Sequence, residues 1–261
     1  MIGVIRSGLN ASLKQIDVVS NNIANARTTG FKRSYGDFGD MYAQKTSLLA
    51  PGKIGNGTAL LETRTSRAQG PLQQTGMTLD LAIEGQGMFV LNRPGSTNAD
   101  EATYTRDGSF TLDREGYIVS TDGRRLKSAT GEDFKVEDRI TVDGEVLFLE
   151  DLDITEHGVV RAQMGETNYV ELGEIGLAAF SDETRLTPVG RNLFRANEES
   201  GEAVIETAFQ GPYGKVISGA LEMSNSNMMT ELTQLLKAQQ AFSGSSKLMQ
   251  AERDMTNSLI K

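Results

Sequence analysis

The chain has 261 residues, of which 38% are hydrophobic; it contains no cysteine and one histidine, and its formal net charge is −9. This is enough for one large or two modest cores, and the missing cysteine excludes disulfides, thiolate metal ligands and cysteine nucleophiles. Apolar runs such as Leu147–Leu149 and Ile175–Phe180 fall far short of the ~20 residues a membrane-spanning helix needs, and the acidic balance opposes nucleic-acid binding.

At the N-terminus Ile2, Ile5, Leu9, Ser12, Ile16, Val19, Ile23 and Ala26 recur at steps of three and four, which keeps one seam of a helix facing a partner. The spacing predicts a helix from Ile2 to about Asn25, with Gly30 free to take the left-handed conformation that closes a helix. Ser7, Asn10, Ser12, Lys14 and Gln15 break up any apolar core, so no cleavable secretory signal is expected. Arg6, Lys14, Arg27, Lys32 and Arg33 stand against Asp17 alone, so the acidic excess lies in the middle of the chain.

Residues 34–75 read as an extended connector. Glycines at 36, 39, 52, 55, 57 and 70 punctuate short apolar pieces, and Asp37–Gln44 is expected as a helical turn. From 76 to 219 the period becomes two: Leu79, Leu81 and Ile83 alternate with polar or small residues, as do Phe110 and Leu112, while Tyr117 and Val119 flank the apolar Ile118. Asp107-Gly108, Glu115-Gly116, Asp122-Gly123 and Asp143-Gly144 supply hairpin turn chemistry. The middle is therefore expected to be a mostly antiparallel β domain.

At the C-terminus Leu221, Met228, Leu235, Phe242, Met249 and Thr256 recur every seven residues, with Leu232, Gln239, Ser246, Arg253 and Ile260 as a mixed second row. The expected fold class is α+β, with N- and C-terminal helices pairing as a coiled-coil module and a mostly antiparallel β middle domain. The expected domains are 1–33 with 220–261 for assembly, 34–75 as connector and 76–219 as β-rich outer domain.

Candidate chemistry is sparse. His157 precedes Gly158 in a turn, and Asp151, Asp153 and Glu156 read as a solvated acidic turn, since the twelve-residue calcium loop is missing. Gly85-Gln86-Gly87 lacks the third glycine of a dinucleotide loop. No catalytic, cofactor-binding or metal residue is expected, and no cofactor.

Specific strings carry more. Ser20-Asn21-Asn22-Ile23-Ala24-Asn25 with Thr28-Thr29-Gly30-Phe31-Lys32-Arg33 resembles the N-terminal signature of the bacterial flagellar basal-body rod and hook axial proteins. The resemblance continues through Leu79–Phe89, Tyr104–Phe110, Gly116-Tyr117 and Ser218–Asn225. It implies a structural subunit of the flagellar rod, not an enzyme, that self-assembles helically around the export channel and transmits torque to the hook. The implied partners are copies of itself, other rod and hook proteins, the flagellar export apparatus and the surrounding ring proteins, with neither nucleic acid nor membrane insertion. The implied location is the periplasm-spanning rod of the basal body, reached by type III export without a cleavable signal.

The expected assembly interface is Leu9, Ile16, Asn21, Asn22, Ile23, Asn25, Leu235, Phe242 and Met249. The asparagines are placed to hydrogen-bond neighbouring chains, or else to cap the helix end. Asp37–Tyr42 looks somewhat hook-like, which keeps a hook-type protein as the alternative; a β-rich extracellular hydrolase using paired carboxylates is more distant. Ala238-Gln239-Gln240-Ala241-Phe242 is similar to a family string with arginine at the third place, and Ser243-Gly244 departs from its usual continuation. That pair is expected to loosen the helix by up to ~1 kcal/mol.

Overall fold

The computed structural model describes residues 2–45, 52–95, 102–136, 139–142, 145–164 and 168–260. The chain divides into two compact units. The first is Met1–Ala26, Arg33–Ser66 and Ser226–Lys261; the second is Arg27–Lys32 with Arg67–Asn225. The architecture is α+β.

In the first unit helix α1 spans Ile2–Ala24, strand β1 Ser34–Lys45, strand β2 Gly52–Thr65 and helix α2 Met228–Ile260. The spacing of apolar residues placed α1 to within a residue. β1 and β2 form an antiparallel ribbon, Ser34 opposite Thr65 and Lys45 opposite Gly52, so the helical turn expected at Asp37–Gln44 is a strand. Gly36 and Gly39 sit in β1 where a Cβ would crowd Leu60 and Leu61, which lets these side chains lie flat on the ribbon. The ribbon lies against α1, and α1 against α2. Thr58 N–H donates to Ser7 Oγ at 3.2 Å, and Gly57, with φ +101°, leaves room for that serine.

α2 begins at Met228 because Asn227 caps it: the Asn227 side-chain oxygen accepts from the N–H groups of Met229 (3.0 Å) and Thr230 (3.1 Å). Leu221, first in the heptad row, therefore lies outside the helix, in a strand spanning Ala220–Glu222. The helix runs unbroken through Ser243-Gly244.

The second unit begins with β3 (Leu72–Gln74), β4 (Leu81–Glu84), β5 (Met88–Asn92), β6 (Thr103–Thr105), β7 (Phe110–Leu112), β8 (Ile118–Ser120), β9 (Arg125–Leu126) and β10 (Arg139–Val142). It continues with β11 (Glu145–Ile154), β12 (Val159–Met164), β13 (Asn168–Glu174), β14 (Gly176–Ala179), β15 (Thr187–Gly190), β16 (Leu193–Arg195), β17 (Val204–Thr207), β18 (Lys215–Ser218) and β19 (Ala220–Glu222). Among the described residues the main sheet has nine strands, ordered β15-β16-β6-β5-β9-β8-β7, with β14 pairing β5 and β17. A second sheet runs β10-β11-β12-β13, and β18-β4 and β19-β3 are separate pairs. Among the described residues every ladder between these strands is antiparallel, and the isolated bridge between Gln86 and Tyr213 is parallel.

β5 organises the core, because strand side chains alternate faces and here both faces are covered. Phe89 and Leu91 enter one cluster with Leu81, Ile118, Leu126 and Leu177, while Met88 and Val90 enter another with Tyr104 and Phe194. Phe89 meets Phe110 edge to face, with centroids 5.3 Å apart. In β8 the buried residue is Ile118, while Tyr117 lies under the Arg125 guanidinium at 3.4 Å. Asp107-Gly108 joins strands that do not pair, and Gly108 is required because a Cβ there would strike the Leu81 backbone. The Asp143-Gly144 turn lies outside the described residues.

Candidate functional site

The α1 face turned to α2 contains part of the expected seam and one residue that the apolar pattern passed over. Ser12, Val19 and Asn22 are buried; Leu9, Ile16 and Ile23 are half-buried, Asn25 partly so, and Asn21 is exposed. On α2 the row Leu235, Phe242 and Met249 is half-buried. Its companion row is Glu231, Ala238, Ser245 and Glu252, and Leu232, Gln239 and Arg253 of the expected second row are exposed. The correction has a physical cause: small residues let backbones approach, and a Cβ built on Gly8 would lie 3.8 Å from Ser245 Oγ.

Asn25 closes locally, its amide donating to Asn21 O (3.0 Å) and Asn21 Oδ1 (2.9 Å). Asn22 does something else. Its Oδ1 accepts from Ser34 N–H (2.9 Å), while Nδ2 donates to Ser34 C=O (2.7 Å) and to Glu231 Oε2 (3.1 Å). Both amide hydrogens and the carbonyl are thus engaged within the chain. Glu231 is fully buried in the first turn of α2, where the helix dipole favours a negative charge, and Arg33 Nη1 lies 3.4 Å from its other oxygen. One asparagine therefore brackets α1, the start of β1 and the start of α2.

The second unit holds a matching buried hub. Glu222 Oε1 accepts from Lys32 Nζ (2.5 Å) and Gly70 N–H (2.8 Å), and Oε2 from Arg106 Nη1 (3.3 Å). Its backbone C=O accepts from Gly30 N–H at 2.7 Å. Lys32 Nζ reaches Ala68 C=O, and Arg106 Nη2 reaches Gly85 C=O. The strings around Gly30-Lys32, Ile83-Gly85, Arg106-Gly108 and Glu222 thus converge on one carboxylate. Burial pushes the Lys32 amine below its ordinary value, against the opposing pull of Glu222. Gly30 has φ +65°, but six residues beyond the end of α1; it serves close approach to Asp107 and does not cap the helix.

His157 sits exposed in its turn, edge-on to Phe209 at 5.2 Å, and Asp151 and Asp153 point to the exposed face of β11. The Asn22 bracket and the Glu222 hub each fasten segments distant in sequence.

Three family models match the chain: "Flagella basal body rod protein" over residues 2–32, "Flagellar hook protein FlgE/F/G D1 domain" over 82–162 and "Flagellar basal body rod FlgEFG protein C-terminal" over 217–261. Among similar proteins, the flagellar basal-body rod protein FlgG of Bacillus subtilis is 32% identical, the match covering 97% of this chain and 95% of that protein. FlgG of Agrobacterium fabrum is 31% identical over 100% of this chain and 98% of its own, and FlgF of Caulobacter vibrioides is 30% identical over 95% and 91%. The chain belongs to the flagellar basal-body rod protein family, whose members of the FlgF and FlgG type are structural subunits and not enzymes.

Proposed function

We propose that copies of this chain pack helically around the export channel as part of the driveshaft that carries torque to the hook. The terminal segments, 1–33 and 220–261, act as the assembly domain with α1 and α2 as a coiled coil; 34–75 connects, and 76–219 faces outward. Leu9, Ile16, Asn21, Asn22, Ile23, Asn25, Leu235, Phe242 and Met249 form or shape the interface, Asn22 through the bracket it builds inside each subunit. Partners are copies of the chain, other rod and hook proteins, the export apparatus and the surrounding rings, in the periplasm-spanning rod reached without a cleaved signal.

The observation that carries this reading is the unmet apolar surface of the helices. Leu13 is 42% exposed, Leu232 41%, Leu236 59% and Leu248 61%, on faces that the single chain leaves uncovered. Met229, Leu232 and Leu236 recur at steps of three and four on α2, so they line one face of the helix, and an exposed apolar stripe of this kind is a feature of protein interfaces. Leu236→Asp is expected to leave the monomer folded and to abolish polymerisation and rod formation, read by sedimentation and by electron microscopy of basal bodies. Ile16→Asp should also abolish assembly. Normal rods from Leu236→Asp would defeat the proposal.

A further inference from the structure

Asn56-Gly57 is the one place in the chain where glycine follows asparagine, and the β1-β2 ribbon slips register there. Asp40 lies opposite Thr58 and Tyr42 opposite Gly55, so Met41 alone stands against Asn56 and Gly57, and neither of these has a partner residue on β1. Two residues against one make a β-bulge, in which the ladder is locally broken. Gly57 has φ +101°, far from strand geometry. Asn56 is exposed, and its side-chain amide makes no hydrogen bond among the described residues. Asn22, by contrast, is buried and held through both ends of its amide.

An asparagine in this setting can lose its amide without a catalyst. The Gly57 nitrogen, its proton taken by solvent base, adds to Asn56 Cγ; the tetrahedral adduct expels ammonia and leaves a cyclic imide. Water then opens the imide at one carbonyl to give aspartate or at the other to give isoaspartate. One water is consumed and one ammonia released, so no oxidant or reductant is needed. Glycine permits the attack because it has no Cβ to crowd the nitrogen. A regular strand opposes it, since the chain is held extended and its N–H groups are committed to the ladder. The bulge takes both residues out of that register.

We propose that Asn56 is a site of spontaneous deamidation, and that its conversion to isoaspartate breaks the bond between the ribbon and α1. The next residue makes that bond. Thr58 N–H donates to Ser7 Oγ at 3.2 Å, and the Ser7 hydroxyl in turn donates to Val4 C=O at 2.8 Å. Ser7 sits directly against the bulge, because a Cβ on Gly57 would strike its oxygen. Isoaspartate inserts one more carbon into the main chain ahead of Gly57, a displacement of about 1.5 Å, which carries Thr58 N–H out of hydrogen-bond range of Ser7. The site belongs to the first unit of a single chain and does not depend on the packing of copies proposed above.

The test ages purified full-length protein at mildly alkaline pH, beside a sample in urea, and reads each asparagine by peptide mass spectrometry. Asn56 is expected to exchange its amide for an acid in the folded protein at a rate comparable to that in urea, as both aspartate and isoaspartate, while Asn22 converts only in urea. Asn56→Gln should abolish the change at this peptide, because the longer side chain closes its ring far more slowly. Asn56 that stays intact in the folded protein while it converts in urea would overturn the proposal. Hydrogen exchange at Thr58 tests the second part. It should be faster in the aged protein and unchanged in freshly prepared Asn56→Asp, which adds the charge without the extra main-chain carbon. Unchanged exchange in isoaspartate-rich protein, or equally fast exchange in Asn56→Asp, would overturn the link to Ser7.

Discussion

Asn22 on α1 and Glu231 on α2, 209 positions apart in sequence, share a buried hydrogen bond of 3.1 Å. The same amide grips both backbone groups of Ser34, so the two ends of the chain and the first strand are fixed by one side chain. Buried polar groups of this kind contribute little net energy when satisfied, and their loss is costly because each partner is left unsolvated. The bond sets Asn22 of α1 beside Glu231 in the first turn of α2.

Asn22→Ala removes all three bonds and leaves the Glu231 carboxylate short of a donor. The expected cost is about 3 kcal/mol, confined to the first unit. Hydrogen exchange should show faster exchange in α1 and β1 while Phe89 and Leu91 in β5 stay protected. Uniform loss of protection would mean that the two units unfold together.

Lys32 offers a pH test with a defined sign. Burial lowers its pKa in the folded state below the ordinary 10.5, so between the lowered value and 10.5 the unfolded chain binds more protons and stability rises with pH. The favourable side lies above the unfolded pKa, and the contribution is lost as pH falls toward the folded one. Urea unfolding of the parent and of Lys32→Met from pH 8 to 10.5 should therefore give a difference that moves in the parent's favour as pH increases. A difference that moves the other way would mean that Glu222 outweighs burial.

Gly30 tests close approach. A Cβ there would lie 2.5 Å from Asp107 N, at φ +65°. Gly30→Ala is expected to destabilise the second unit by roughly 2 kcal/mol or more, since positive φ and a backbone clash add. Gly95→Ala is the control: its φ is +78° with nothing within 4 Å of the added carbon, and it should cost only about 1 kcal/mol. Equal thermal shifts in the two variants would remove the packing role of Gly30.

His157 separates a mechanical subunit from a chemical one. It is exposed and its ring contact is to Phe209, which is itself 62% exposed. His157→Ala should change stability by no more than about 0.5 kcal/mol and leave swimming intact, as should Asp153→Ala. Correctly built rods that fail to support motility in either variant would point to chemistry at this turn.

Sequence by itself determined the helix at each end, the β character of the middle and the family, because these rest on local periods and on contiguous strings. The steps of three and four from Ile2 to Ala26 specify a helix whatever it packs against, and the alternation around Leu81 and Phe110 specifies strands. Tertiary structure alone decided which polar residues belong to the interior. Of Glu231, Ala238, Ser245 and Glu252 only the small Ala238 is apolar, so Leu232 and Gln239 read as the second seam row, although the close approach of α1 and α2 selects the small and charged row. Asn22 and Glu222 likewise look like surface residues in the chain. Each becomes buried because partners brought from far along the sequence satisfy its hydrogen bonds, and that condition exists only in the folded molecule.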